Sequence, residues 1–289
     1  MKRYLTLILL LCSCAAFAQV EKSMIVTDSI SSAVLGCKKA YNIYLPQNYK
    51  KDIDKFYPVV YLLHGYSDDN TNWTKRGHVR DVMTNLVRSG EVQEMIIVMP
   101  DASKKNGVPN ACHGYFNQPD WAYEDYFFTE LMPQVEKKYR IRADRTNRAI
   151  AGLSMGGGGT ISYAQRHPEL FSAAYSMSAF MGTPVDYNKE RHSHPDVMVF
   201  VEGALRHDCV KYVREASPEI LEALRSVRWF LDCGDDDYLL EGNLEFLLAM
   251  KRAGVPMEIR VREGAHNWEY WNSALYICLP YFNRGFDRF

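Results

Sequence analysis

The chain has 289 residues, 47% of them hydrophobic, with 34 Lys and Arg against 35 Asp and Glu for a net charge of -1. That length supports one large core, and the balanced charge excludes the basic surface on which nucleic-acid binders depend.

At the N-terminus, Lys2 and Arg3 precede the apolar run YLTLILLL, and Ala16-Phe17-Ala18 ahead of Gln19 has the small-x-small form of a signal-peptidase site. Residues 1–18 therefore read as an export signal, leaving one domain over 19–289 that is secreted or periplasmic. Within the same leader, Leu11-Cys12-Ser13-Cys14 offers the alternative of a lipid anchor at Cys14, the one route by which this reading brings the chain to a membrane. Five cysteines follow the leader: Cys37, Cys112, Cys209, Cys233 and Cys278. Odd in number and widely spaced, they form no CxxC metal pattern and cannot all pair within the chain.

Along the chain, short apolar β-rich runs alternate with helical patterns. Strands are predicted at 41–45, 57–63, 95–99, 147–151, 172–176, 228–232 and 257–261. Helices between most of them imply crossover connections and a mostly parallel sheet, an α/β fold without internal repeats. The helical run 124–139 contains Pro133, which should kink or split it. The stretch 181–226 is the least sheet-like and is expected to form an insertion over one end of the sheet. A helix over 239–253 has clear stop signals: Lys251 and Arg252 in the last turn, Gly254 beyond it, then Pro256.

One stretch, AIAGLSMGGGGT at 149–160, wedges Ser154 between glycines where a predicted strand turns into a predicted helix. Such a turn strains the serine backbone and brings neighbouring chain close, so Gly152 and Gly156 stand where a Cβ would clash and the hydroxyl is presented at the ligand-facing edge. A serine becomes a nucleophile only with a base to take its proton and a carboxylate to orient that base. In this architecture the chain order is nucleophile, acid, histidine, which singles out His266 in GAHNWEYW after the last predicted strand. The acid belongs to the loop after VRWFLD, where Asp232, Asp235, Asp236 and Asp237 compete. Oxyanion donors are expected at the Met155 N–H and, from the turn at His64-Gly65-Tyr66, the Tyr66 N–H, with His64 itself holding that turn by hydrogen bonds.

Six segments in this order, YLLHGY, MIIVMPD, YEDYFFTELMPQVEKKYR, GLSMGG, CGDDDYLL and HNWEYW, resemble the "putative esterase" branch of the α/β hydrolases. That branch includes feruloyl and acetylxylan esterases of the first carbohydrate esterase family, esterase D and the mycolyltransferases of the antigen 85 type. The resemblance spans roughly residues 41–285 and implies an α/β-hydrolase fold. It assigns the acid to Asp237 by the CGxxD pattern and supports Ser154, His266, Met155 and Tyr66 in the roles above. It implies no cofactor and no metal. Combined with export, it implies a carboxylesterase acting on an ester of a carbohydrate or small phenolic acid, such as feruloyl or acetyl groups on plant polysaccharide. Trp73, Tyr115 and Trp268 are expected to bind substrate, and Tyr66, Phe116, Trp121 and Tyr238 lie in or near the same edge loops, where they can stack on a phenolic group or sugar or else fill the core.

Within the enzyme class, a general acyl esterase, a siderophore esterase or an acyltransferase share these signals. From other classes, a glycan-binding module on a hydrolase scaffold is one alternative. A metal site is another: RHSHPD at 191–196 matches an HxHxD start, with His207, Asp208 and Cys209 nearby, but Val197 stands where a further histidine is expected.

Overall fold

The computed structural model describes residues 23–104, 113–188 and 195–288. Its main sheet consists of β1 (Met24–Ser32), β2 (Cys37–Leu45), β3 (Val59–Leu63), β4 (Ile96–Pro100), β5 (Arg148–Leu153), β6 (Ala173–Met177), β7 (Arg228–Gly234) and β8 (Met257–Arg262). In space the order is β1-β2-β4-β3-β5-β6-β7-β8. All seven predicted strands are present. The additional one, β1, escapes the pattern because it is an edge strand in which Thr27, Asp28, Ser29, Ser31 and Ser32 interrupt the apolar residues.

β4, β3 and β5 through β8 run parallel, whereas β1 and β2 pair antiparallel and β2 runs antiparallel to β4. The β1–β2 reversal has a simple cause: the turn at 33–36, with Gly36 at φ 63°, is too short to carry a crossover. The central strands VVYLL, IIVMP, RAIAGL and AAYSM are buried throughout. Parallel strands covered on both faces must be near-continuously apolar.

Seven helices are used below: α1 (Val79–Arg88), α2 (Met155–Arg166), α3 (Pro195–Arg206), α4 (Cys209–Arg214), α5 (Pro218–Arg225), α6 (Leu240–Arg252) and α7 (Trp268–Asn283). On one face of the sheet Tyr61, Leu63 and Ile150 pack with Ile161 of α2 and Phe246 of α6. On the other, Val60, Leu62 and Ala149 pack with Val82 of α1 and Leu275 of α7.

The run predicted at 124–139 is split into Tyr123–Tyr126, a π turn at Phe127–Leu131, and Met132–Lys138. Pro133 has no N–H to give the carbonyl four residues back and its ring crowds that carbonyl, so the wider turn just ahead of it absorbs the mismatch. The described part of 181–226 is helical: a short 3-10 turn at Pro184–Asp186, then α3, α4 and α5. Asp208 caps α4 by accepting from the Val210 and Lys211 amides, and Ser217 caps α5.

Cys37, Cys209, Cys233 and Cys278 carry no disulfide. Residues 1–22, with the export signal and Cys14, lie outside the described residues, as does Cys112. Among the described residues no helix is long and apolar enough to cross a membrane.

Candidate active site

Three loops at the carboxyl edge of the sheet, after β5, β7 and β8, bring Ser154, Asp237 and His266 together. Ser154 sits at φ 54°, ψ -116°, between the last residue of β5 and the first of α2. The sharpness of that turn is what the flanking glycines permit. A Cβ on Gly152 would stand 2.3 Å from the Gly156 carbonyl oxygen, and one on Gly156 only 2.6 Å from the His64 oxygen. The turn is locked from the sheet side, since the Ser154 N–H donates to Met177 O at 2.9 Å and the Ser154 carbonyl accepts from Phe180 N–H at 3.0 Å.

His266 Nε2 lies 2.9 Å from Ser154 Oγ, and Nδ1 lies 2.9 and 3.0 Å from the two carboxylate oxygens of Asp237. A carboxylate only accepts, so the ring proton belongs on Nδ1 and Nε2 is left to accept from the serine hydroxyl. Asp237 is 4% exposed. Burial pushes its carboxyl up, but the hydrogen bond and charge of His266, the Leu239 amide and the Ser178 hydroxyl outweigh this and hold it below the usual carboxylate range.

The other acids of the cluster have different tasks. Asp235 accepts from the Gly264 N–H at 2.9 Å, and the Asp236 N–H donates to Gly264 O, which ties the loop before His266 to the loop before Asp237. Asp232 is fully buried beneath the site, where Arg260, Tyr175 and Tyr270 all donate to it. With its lone pairs engaged in this way it does not orient His266.

A cleft of about 470 Å³ opens over Ser154, lined by Tyr66, Phe180, Val197, Phe200, Tyr238 and Trp268 among others. Tyr66, Phe180 and Phe200 form one aromatic wall, with Phe200 ring centroids 5.5 Å from Tyr66 and 5.1 Å from Phe180. On another side Trp268 stands edge-on to Trp73, and the Arg76 guanidinium lies 5.2 Å from the Trp268 ring. The backbone of Met155 begins α2 directly after Ser154, while its side chain is buried in the core.

Two substrate-binding expectations need correction. Trp73 and Tyr115 are both fully buried and line no part of the cleft. Their polar atoms face inward, Trp73 Nε1 to Leu63 O at 3.0 Å and the Tyr115 hydroxyl to His64 O at 3.1 Å. Phe116 and Trp121 are likewise buried. Trp268 and Tyr238 do reach the cleft. Sequence reasoning missed Phe180, Val197 and Phe200, which no local pattern marks. It also missed Ser178, whose hydroxyl accepts from Trp271 Nε1 at 3.0 Å beside Asp237. Ser178, just after β6, takes a positive φ of 46°, and nothing in the local sequence marks it.

Of the alternative metal ligands, His192, His194 and the Asp196 side chain lie outside the described residues. His207 stacks on Phe116 at 4.1 Å and bonds to Gly203 O, and Asp208 is the α4 cap. Among the described residues no group of three His, Cys, Asp or Glu is placed to hold a metal ion.

A family model described as "Putative esterase" matches residues 32–282. The chain belongs to that esterase family. An endo-1,4-beta-xylanase/feruloyl esterase of Xylanibacter ruminicola is 31% identical over 244 residues, covering 83% of this chain and 28% of that protein. An esterase of Mycobacterium tuberculosis is 27% identical over 255 residues, 81% of this chain and 54% of that one. The esterase chain thus spans from about a quarter to about half of these curated relatives. A solved ferulic acid esterase superposes with a TM-score of 0.85 at 49% identity, covering 92% of this chain and all of that one. A ferulic acid esterase from Anaeromyces mucronatus, 20% identical with 91% and 92% covered, superposes at 0.67 and shares the fold. The architecture is that of an α/β hydrolase.

Proposed function

We propose that this protein is a serine carboxylesterase that removes feruloyl groups from plant polysaccharide through an acyl-enzyme. The observation that carries the reading is the unbroken hydrogen-bond line from Asp237 through His266 to Ser154 Oγ at the floor of an aromatic cleft. In the first half-reaction His266 Nε2 takes the serine proton as Oγ attacks the ester carbonyl, and Asp237 stabilises the imidazolium that forms. The amides of Met155 and Tyr66 hold the developing oxyanion, and His266 returns the proton to the leaving sugar alcohol. Water then repeats the sequence on the acyl-enzyme and releases the acid.

The choice of acyl group rests on the cleft and on the 49%-identical ferulic acid esterase. A wall of Tyr66, Phe180 and Phe200 suits a phenolic acyl group, which buries far more apolar area there than an acetyl group can. Export by the leader places the enzyme with its polymeric substrate. The test compares methyl ferulate, acetylated xylan and a short p-nitrophenyl ester, with wild type and Ser154→Ala. The expected result is a clear preference for methyl ferulate, abolished on all three by the substitution. Equal rates for the two proteins reject the mechanism, and a preference for acetylated xylan moves the substrate to acetyl esters.

A further inference from the structure

We propose that the Tyr66 amide is aimed by three ring donors, one on each of three consecutive carbonyls of the turn that carries it, with His64 as the positioning residue of the set. The inference rests on the serine esterase reading above. Trp73 Nε1 donates to Leu63 O at 3.0 Å, the Tyr115 hydroxyl to His64 O at 3.1 Å, and His64 Nδ1 to Gly65 O at 2.7 Å. All three side chains are buried, and none touches the cleft. From the opposite side α2 closes in, since the Cβ position of Gly156 is 2.6 Å from His64 O and 2.7 Å from Leu63 O. The turn is therefore clamped between the rings and the helix that starts at the nucleophile.

His64 has a defined tautomer. The Ala102 N–H donates to its Nε2 at 2.9 Å, so Nε2 accepts and the proton is on Nδ1, facing Gly65 O. The same carbonyl also accepts from the Asp68 N–H at 3.2 Å, and the Asp68 carboxylate accepts from the Gly65 N–H. Every peptide bond described is trans. In a trans peptide the C=O and N–H point in opposite directions, so a Gly65 carbonyl held toward the ring turns the Tyr66 N–H away from it. That face borders the nucleophile: the Gly65 Cβ position is 3.7 Å from Ser154 Cβ, and Tyr66 lines the cleft. A peptide whose carbonyl already accepts hydrogen bonds is also the better donor at its N–H. Behind the ring, Asp101 and Lys39 form a buried pair, with Asp101 Oδ1 3.8 Å from His64 Nε2 and Lys39 Nζ 3.5 Å from Asp101 Oδ2.

An oxyanion donor acts on the transition state alone, so misaiming it lowers kcat and leaves KM nearly unchanged. His64→Asn sets an amide nitrogen where Nδ1 stands and keeps the bond to Gly65 O. His64→Gln sets its amide oxygen where Nε2 stands, still accepting from the Ala102 N–H, and loses the bond to Gly65 O. Each variant is assayed for kcat and KM on methyl ferulate and for inhibition by a trifluoromethyl ketone that forms the tetrahedral adduct. For His64→Gln both kcat and inhibitor affinity should fall roughly 10- to 100-fold with KM little moved, and His64→Asn should recover most of the loss. Tyr115→Phe, which keeps its ring, should show the same split at about tenfold. A His64→Gln enzyme with wild-type kcat, equal losses for Asn and Gln, or losses confined to KM overturn the proposal. Independently of any variant's folding, nitrogen-15 spectra of the wild type should show His64 as the Nδ1–H tautomer, and the Nε2–H form overturns it. The esterase reading itself falls only if Ser154→Ala retains activity. Dependence on Ser154 together with indifference at position 64 removes the brace alone.

Discussion

His266 Nε2 stands 2.9 Å from Ser154 Oγ while both oxygens of Asp237 lie within 3.0 Å of its Nδ1. This fixes the direction of proton flow, because a ring whose Nδ1–H is held by a carboxylate can only accept at Nε2. Ser154→Ala removes the atom that attacks, and kcat on methyl ferulate should drop by at least about 10³-fold with the fold unchanged by circular dichroism. Residual turnover near wild type points to a different nucleophile.

The acid is separable from its neighbours by substitution. Asp237→Asn keeps the shape but favours the wrong ring tautomer, so kcat should fall roughly 10³- to 10⁴-fold. Asp235→Asn retains an oxygen for the Gly264 amide and should cost less than about tenfold. The Asp237 carboxyl is held below its ordinary value, so it contributes stability that is present above that value and lost as pH falls through the depressed one. The melting-temperature gap between wild type and Asp237→Asn should therefore persist at neutral pH and close only below pH 3.8. A gap that closes near neutrality sinks this account.

What was legible in the sequence follows from how local each signal is. Ser154 was readable because a strained turn demands glycines two residues either side of it, and His266 because chain order and loop position leave few rivals. Among the four aspartates, by contrast, adjacency hides orientation. Only the tertiary partners separate them: Gly264 for Asp235, Arg260 and two tyrosines for Asp232, His266 for Asp237. Trp73 and Tyr115 were misplaced for a related reason. An aromatic near an edge loop looks the same in sequence whether its polar atom meets a substrate or a backbone carbonyl. The cleft wall was illegible because Phe180 and Phe200 come from separate segments and become neighbours only when α3 folds over the sheet edge.

Asp232 offers a test in which stability and chemistry diverge. Asp232→Ala leaves the Arg260 guanidinium and the hydroxyls of Tyr175 and Tyr270 without their shared acceptor under the site. Removing one partner of such a buried network costs about 3–5 kcal/mol. The melting temperature should fall steeply while kcat, measured well below it, stays within a few-fold of wild type. A collapse of kcat with unchanged melting temperature would place Asp232 in the chemistry instead.

Asp186 ties the start of the 181–226 segment to the fold, accepting from the Met181 and Thr183 amides on Oδ2. Burial, with a smaller contribution from Asp208, pushes its carboxyl up from 3.8 to about 7 despite those bonds. The folded state thus prefers the protonated acid, and the ionised form becomes a growing burden as pH rises from about 4 to about 7. Asp186→Asn keeps an accepting oxygen and removes the charge. Relative to wild type it should gain stability across that window, on the order of 4 kcal/mol, and the gain should level off above it. Denaturant titrations at pH 4.5, 6 and 8 check this, and a gap independent of pH excludes Asp186 as the titrating group.

Phe200 decides between a cleft that selects aromatic acyl groups and one that merely admits them. It stands on α3, with ring contacts to Tyr66 and Phe180 on the wall beside Ser154. Truncating it to alanine removes apolar surface that a phenolic ring would cover, worth about 1–3 kcal/mol, or roughly 10- to 100-fold in kcat/KM. A short acetyl group ends at the oxyanion position and gains little from that wall. Phe200→Ala should therefore depress kcat/KM for methyl ferulate by that factor and leave p-nitrophenyl acetate within about threefold. Parallel loss on both substrates in Phe200→Ala would instead assign the ring to holding the cleft open.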